Sequence, residues 1–392
     1  MSEPQLRLLS ALDEVSAADW DALHEGRHPF IGHAFLAGLE RHGCLRARWG
    51  WTPRHLTLWR GGRLVAAAPG YVKTNSHGEF VFDHAWAHAY AQYGRDYFPK
   101  WLCAVPYSPV AGPRLLARSD HDRRALVDAM SRLSASEGMS SVHVNFHLEQ
   151  EDTCFDAAVD EPPQPDRPGW LRRLDVQYHW RNREGWSGFD DFLAAMDHKH
   201  RKNIRQERTK VARAGVRFRI VHGDEASDDD LMAMHGFYLQ TFGDYGNSPA
   251  LTPGFFRHLA TAMPRALVLL LAEHAGAPIA GALCLRSDDT LYGRYWGANV
   301  QLPGLHFETC YYQGIDYCLR EGLQCFEPGA QGEHKIARGF LPALVRSRHW
   351  IEDPAFAAAL QAWCEEEAAG VQRYASQLSS RTPFRTREEP DG

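Results

Sequence analysis

The 392-residue chain predicts an α/β (α+β) fold: two tandem modules with mixed, mainly antiparallel sheets. Three observations carry that expectation. The length suits two domains, at roughly 100–200 residues each. Each half holds a meander of apolar strands around a glycine turn, followed by a loop, a helix and a final strand. The pattern also recurs at a fixed spacing. Residues 55–59, Gly62, 64–68 and 80–82 fall 214 positions before 269–273, Gly276, 278–282 and 294–296. A repeat of that kind reads as two copies of one unit.

The elements follow in order. Residues 6–9 form a short apolar strand. Ser16 is placed to cap a helix whose first turn carries Asp19. Residues 33–42 are amphipathic and helical. Strands 55–59 and 63–72 flank the Gly61-Gly62 turn, and the alternation in 78–84 predicts a third strand. Residues 85–97 are aromatic and rich in histidine. The stretch 99–116 holds a strand end and a proline-stiffened loop. Residues 120–138 are a helix and 141–146 a strand. The proline-rich stretch 161–168 is the linker, which sets modules at 1–165 and 170–375. The second half opens with a strand through Trp180 and a helix at 189–196. A basic run from His198 to Lys210 puts charges on every face of a helix. Residues 216–221 are a strand, 228–242 and 253–263 helices, and 266–273, 279–286 and 290–297 a second meander. Residues 305–321 are a helix and 324–327 the last strand. The polar tail, 376–392, is expected to fray.

Composition narrows the function. Hydrophobic residues make up 44% and charged residues 23%, as in ordinary globular proteins. A net charge of −6 gives no overall pull toward nucleic acid, although local basic patches remain. None of the eight cysteines forms a C-x-x-C pair, so reduced thiols in a cytoplasmic protein are expected. The N-terminus lacks a basic segment followed by an apolar core, and no apolar run is long enough to span a membrane. Hydrolase, NTPase and zinc-protease motifs are absent from the sequence.

Candidate chemistry concentrates after the last strand, in Glu327-Pro328-Gly329 and the run Glu333, His334, Lys335, Arg338, Gly339. Glycines there let backbone N–H groups approach an anion. Glu327 or Glu333 suits an ammonium ligand or a base, His334 an acid or base, and Lys335 and Arg338 a phosphate or carboxylate. Glu327 equally suits a cap on the N–H groups of Gly329 or Ala330, and the loop a solvated charged turn. His306 and Glu308 open the preceding helix, where Glu308 also complements the helix dipole. Tyr295 shares a strand with Tyr292 and Trp296. In the first half, Asp83, His84 and Trp86 form a polar-aromatic cluster, and Ser108 and Arg114 are candidates to line a substrate cleft. His84 and His88 stand at i, i+4 but lack a third ligand in register, so no metal is predicted. Arg201, Lys202 and Arg205 are the candidate anion contacts of the basic run. The plainer reading is a solvated helix partly neutralised by Glu207.

The order helix–helix–strand–strand–strand–helix–strand resembles the GNAT acyltransferase fold. That resemblance implies a splayed pair of central strands admitting acyl-CoA as co-substrate. It also implies a pyrophosphate loop of pattern Q/R-x-x-G-x-G/A at a helix start. Gln301-Leu302-Pro303-Gly304-Leu305-His306 stands there, so Gln301, Gly304 and Leu305 are the implied cofactor contacts. His306 departs from the small final residue and narrows the site. Tandem GNAT modules also resemble the Fem-type peptidoglycan aminoacyl ligases, which use aminoacyl-tRNA, and residues 199–210 are similar to their basic segment. More specific are D-H-A-W-A at 83–87, Y-F-P-K at 97–100, V-P-Y-S-P-V-x-G-P-R at 105–114, H-x-x-N-I-R-x-E-R at 200–208 and E-P-G-A-Q-G-E-H-K-x-x-R-G-F at 327–340. Together they look like the bacterial family of predicted N-acyltransferases labelled peptidoglycan biosynthesis/recognition. The implied function is N-acyl transfer from acyl-CoA to a small-molecule or peptide amine by direct attack, with the second module catalytic. The alternatives are a Fem-like aminoacyl-tRNA-dependent ligase acting on a peptidoglycan precursor, with tRNA contact through 199–210, and a non-catalytic peptide- or glycan-binding module.

Overall fold

The computed structural model describes residues 4–25, 27–156, 169–330 and 332–385. The expected linker at 161–168 and Gln331 of the last motif lie outside the described residues. The chain divides into two compact units. One comprises Met1–Asp175 and Leu344–Gln372, the other Val176–Ala343 and Arg373–Gly392.

In the first unit, Gln5–Leu9, His55–Arg60 and Arg63–Ala68 pair antiparallel in that order. Pro69 then interrupts the strand, because it has no N–H for the ladder. The chain resumes as Gly70–Lys73, which pairs antiparallel with Lys100–Cys103. Lys100–Cys103 in turn runs parallel to Ser141–His147, from Trp101↔Val142 to Cys103↔Val144. The intervening helix, Asp120–Glu137, starts at Ser119, whose hydroxyl accepts from the N–H of Asp122, and ends at Gly138 with φ 65°. Leu126, Met130 and Leu133, one helical face, pack with Trp101, Val142 and Val144 as its core. Residues from Arg346 to Ile351 then pair antiparallel with Ser141–His147. This pairing draws 344–372 into the first unit, whereas the sequence had given them to the second module.

The second unit repeats the plan. Arg217–His222, Leu267–His274, Ala277–Arg286 and Thr290–Ala298 form an antiparallel meander. Thr290–Ala298 runs parallel to Cys325–Glu327, and a helical segment, 305–321, connects them. Cys325 and Phe326 pair antiparallel with Arg181 and Trp180. Each unit therefore has a meander whose last strand is parallel to a strand reached through a helix. That is the mixed, tandem GNAT-like architecture.

Four elements differ from the sequence expectation. Residues 80–82 are not a strand. Glu79, one partner in their alternation, is drawn into a buried ion pair with Lys100 (2.8 Å), while Phe82 is exposed. The third strand of the first unit is Lys100–Cys103. The helix at 305–321 is π-wound over Glu308–Tyr312. The strand Leu341–Ile351 and the helix Pro354–Ser379 were not expected. The described part of the tail, 376–385, is not frayed: Leu378 is fully buried and Phe384 nearly so, both in the core of the second unit, and 386–392 lie outside the described residues. Among the described residues no helix is long and apolar enough to cross a membrane.

Candidate active site

The parallel register of Thr290–Ala298 with Cys325–Glu327 ends at Tyr292↔Glu327. Beyond it the neighbouring ladder is irregular: Leu283 faces Tyr295 but Cys284 faces Gly293, leaving Arg294 as the extra residue of a bulge. A bulge at the end of a parallel pair re-aims side chains. Here Arg294 is half-buried with its Nε shielded from solvent, and this desolvation pushes its pKa down.

The loop after Glu327 folds back as a 3-10 helix, Glu333–Arg338. Gly332 precedes it with φ 118°, and a Cβ there would meet the His334 ring at 2.5 Å. Only glycine fits that position. His334 is exposed, and its Nε2 lies 2.9 Å from the Tyr311 hydroxyl. Lys335 is 3% exposed and donates to the carbonyl of Gly329 at 2.6 Å. Burial lowers its pKa to about 8, and the charge of Arg294 acts the same way. Arg338 lies 3.4 Å over the Phe307 ring and donates to Glu207 at 2.7 Å. Glu207 also accepts from the hydroxyl of Tyr312. His334 and Arg338 both pack on the Phe307 ring, although in a 3-10 helix residues four apart do not fall on one face. Partial burial lowers the pKa of His334, with Arg338 and Lys335 adding to the shift. The His306 ring packs on Trp296 and Tyr311 at 5.1 and 5.3 Å between centroids, and burial lowers its pKa to about 4. Both shifts favour the neutral imidazole, the form that accepts a proton.

The remaining candidate residues of this unit are held less openly. Glu308 is 3% exposed and takes Arg208 at 3.1 Å and the Gln313 amide at 2.7 Å. A carboxylate so engaged is a structural anchor rather than a base. Glu333 faces outward, accepting from Tyr374 at 2.6 Å and Arg381 at 2.9 Å. Glu327 is half-buried, with a carboxylate oxygen 4.0 Å from His179 Nδ1. Tyr295 packs edge-on against Tyr238 at 5.0 Å. Gly304 has φ 89° and begins the helical segment, and a Cβ there would lie 3.4 Å from the Glu207 carbonyl. Gln301 is exposed, while Leu305 is buried and its N–H turns back to the carbonyl of Leu302.

The basic run is one helix, His198–Arg213, capped by Asp197, whose carboxylate accepts from the N–H of His200 at 2.9 Å. Its charges do not cover every face. Ile204 and Val211 are buried, and Glu207 and Arg208 turn toward Arg338 and Glu308. The outer face carries Lys199, Arg201, Lys202, Arg205, Lys210 and Arg213, none of which forms an ion pair among the described residues. An open hollow of about 760 Å3 runs along His198, Arg201, Lys202, Arg205, Gln206 and Lys210.

In the first unit, Arg114 is fully buried and donates to the carbonyls of Asn145 (2.9 Å) and Val110 (2.7 Å). It therefore ties loops together and lines no open cleft. Ser108 is likewise buried. Asp83 is 2% exposed and accepts from Lys100 and from Tyr97 at 2.6 Å. Trp86 is buried beside Arg173 and His349. His84 is exposed, next to Phe82, and His88 contacts Gln92 at 3.0 Å.

Sequence reasoning missed Tyr311, Tyr312, Arg294 and His179, and took Glu207 only as a neutralising charge. The adjacent Tyr311-Tyr312 pair in a helix following a glycine loop was the available signal. No local pattern marks His179, which reaches Glu327 through strand pairing alone.

A family model described as FemAB-like, peptidoglycan biosynthesis/recognition, matches residues 11–386. No curated protein matches the chain. Among solved structures, FemX is similar at 11% identity and TM-score 0.52, over 88% of this chain and 98% of that one. L-PGS from Bacillus licheniformis is similar at 7% identity and TM-score 0.52, over 88% and 96%. These likenesses show a shared fold. A tandem GNAT protein from the clavulanic acid biosynthesis pathway also matches, at 13% identity and TM-score 0.44, over 90% and 99%.

Proposed function

Because the chain belongs to the FemAB-like family, described as peptidoglycan biosynthesis/recognition, we propose that it transfers an aminoacyl group from aminoacyl-tRNA to an amine of a peptidoglycan precursor. The observation that supports the RNA-borne donor is the outer face of His198–Arg213. Its cations Lys199, Arg201 and Lys202 sit in the first turns, where they oppose the helix dipole. Helix stability therefore does not account for them, whereas a polyanion held along the helix does.

The chemistry assigned to the neighbouring loop is direct attack. The acceptor amine attacks the ester carbonyl, the C–N bond forms, and the electron pair moves to the carbonyl oxygen. The ammonium of Lys335 stabilises that oxyanion. Neutral His334 takes the proton from the attacking amine. Collapse of the intermediate breaks the ester C–O bond, and the departing ribose oxygen takes the proton from His334, which returns to its neutral form. Arg338 and Tyr312, both anchored on Glu207, hold the loop against the basic helix.

Gly304 favours a second reading, with acyl-CoA as donor. Its left-handed conformation opens the helical segment where a pyrophosphate would meet backbone N–H groups. Binding of tRNA and of CoA to the purified protein separates the two. The proposal expects salt-sensitive tRNA binding, and Arg201→Ala and Arg205→Ala should each lower the slope of log K against log salt by about 1. Binding of CoA without tRNA would transfer the assignment to the acyl-CoA reading.

A further inference from the structure

Three buried or half-buried side chains of the second unit take no part in that chemistry. Arg181 pairs with Cys325 and Trp180 with Phe326, so His179 stands opposite Glu327. Strand alternation puts Cys325 on the same face as Glu327. The donor atoms of His179, Cys325 and Glu327 all lie within 4.8 Å of one another.

The His179 ring makes this more than a coincidence of neighbours. Its side chain is 7% exposed. Its Nε2 lies 3.4 Å from the side-chain oxygen of Gln177, which assigns the proton to Nε2 and leaves a lone pair on Nδ1. Nδ1 has no hydrogen-bond partner among the described residues and faces the Glu327 carboxylate at 4.0 Å. With the proton on Nε2, Nδ1 turns its lone pair toward the Glu327 carboxylate across that gap.

We propose that His179 Nδ1, Cys325 Sγ and the Glu327 carboxylate form a binding site for a divalent transition metal, with Zn2+ the best match. Imidazole, thiolate and carboxylate are the ligand types zinc takes, and Gln177 supplies the outer hydrogen bond that fixes a ligating imidazole. At zinc bond lengths of about 2.0–2.3 Å, tetrahedral ligands stand roughly 3.3–3.8 Å apart, so small side-chain movements close the site. On binding, the Cys325 thiol releases its proton to solvent. The thiolate and carboxylate then offset the two charges of the ion, which limits the cost of placing it beside Arg181 and Lys335. Three protein ligands leave one position open, at the end of the Tyr292↔Glu327 register. The site is independent of whether the acyl donor is RNA or CoA.

The test uses the full chain purified without chelators, with metal content measured and Co2+ substituted for spectroscopy. About one metal per chain is expected, with a thiolate-to-cobalt charge-transfer band. Cys325→Ser should abolish that band, Cys310→Ser should retain it, and Glu327→Gln should weaken cobalt binding by more than about 100-fold. Circular dichroism of each variant establishes that it is folded. Should Cys325→Ser fail to fold, Glu327→Gln and His179→Gln carry the same comparison. No bound metal and no cobalt band in the folded wild-type chain, or a band unchanged in a folded Cys325→Ser or Glu327→Gln variant, would overturn the proposal.

Discussion

Lys100 is fully buried, and its ammonium is held between two carboxylates, Glu79 at 2.8 Å and Asp83. Asp83 also accepts from Tyr97, and Tyr97 reaches His143 at 3.3 Å. The motifs at 83–87 and 97–100 thus meet in one buried network. Lys100→Met keeps the stem but leaves buried Asp83 without its cation and Glu79 with only Lys73, at 3.8 Å. It should cost about 3–5 kcal/mol of stability, read by denaturant unfolding. The same network gives a pH signature. His143 and His349 face each other, Nδ1 to Nδ1, at 2.6 Å. Burial holds both pKa values well below the ordinary 6.5, helped for both by the charges of Lys100 and Arg173. Folded-state pKa values below the unfolded ones mean full stability above pH ~6.5. Stability then falls as the pH drops, because only the unfolded chain takes up the protons. Each histidine contributes up to about 1.4 kcal/mol per pH unit. Denaturation midpoints at pH 7.5 and 5.5 should differ accordingly, and the difference should shrink in His349→Gln. At this scale the sequence displayed the charged residues and glycines of the loop from Glu327 to Arg338, because residue types are local. It concealed the burial of Asp83 and Arg114, whose charges are absorbed by partners distant in the chain.

Among the elements, the second meander was legible because Leu267–Ala272 is a continuous apolar run, all of it fully buried. The first was legible except for its third strand. There an alternating pattern at 78–84 reflected Glu79 turning inward to Lys100, not a sheet face. The final helix, Pro354–Ser379, escaped notice because much of its surface is exposed and its glutamates suggest a solvated tail. Its end is nonetheless core: Leu378 packs in the same cluster as Phe192 and Phe326, and Phe384 follows it there. A chain ended after Ala375 loses both anchors. By the cost of removing buried Leu and Phe side chains, about 2–5 and 3–5 kcal/mol, the second unit should lose cooperative unfolding. Thermal denaturation followed by near-UV circular dichroism checks this. A truncated chain that melts like the full one would refute it.

For the whole molecule, both copies of the module keep the parallel strand pair, yet only the second carries the Pro-Gly loop with His334, Lys335 and Arg338 and the cationic helix beside it. The duplication was readable because two meanders share a spacing. The exchange of 344–372 into the first unit was not, because strand pairing between segments some two hundred residues apart leaves no local mark. Because of this asymmetry the proposed chemistry is assigned to the second copy, and one assay addresses that directly. The protein is incubated with aminoacyl-tRNA and a peptidoglycan precursor bearing a free amine, and the precursor is weighed by mass spectrometry. The account expects a mass gain of one amino-acid residue, reduced by about 100-fold or more in a folded Lys335→Met variant. No gain from a wild-type protein that binds both substrates, or an undiminished gain in Lys335→Met, would contradict it.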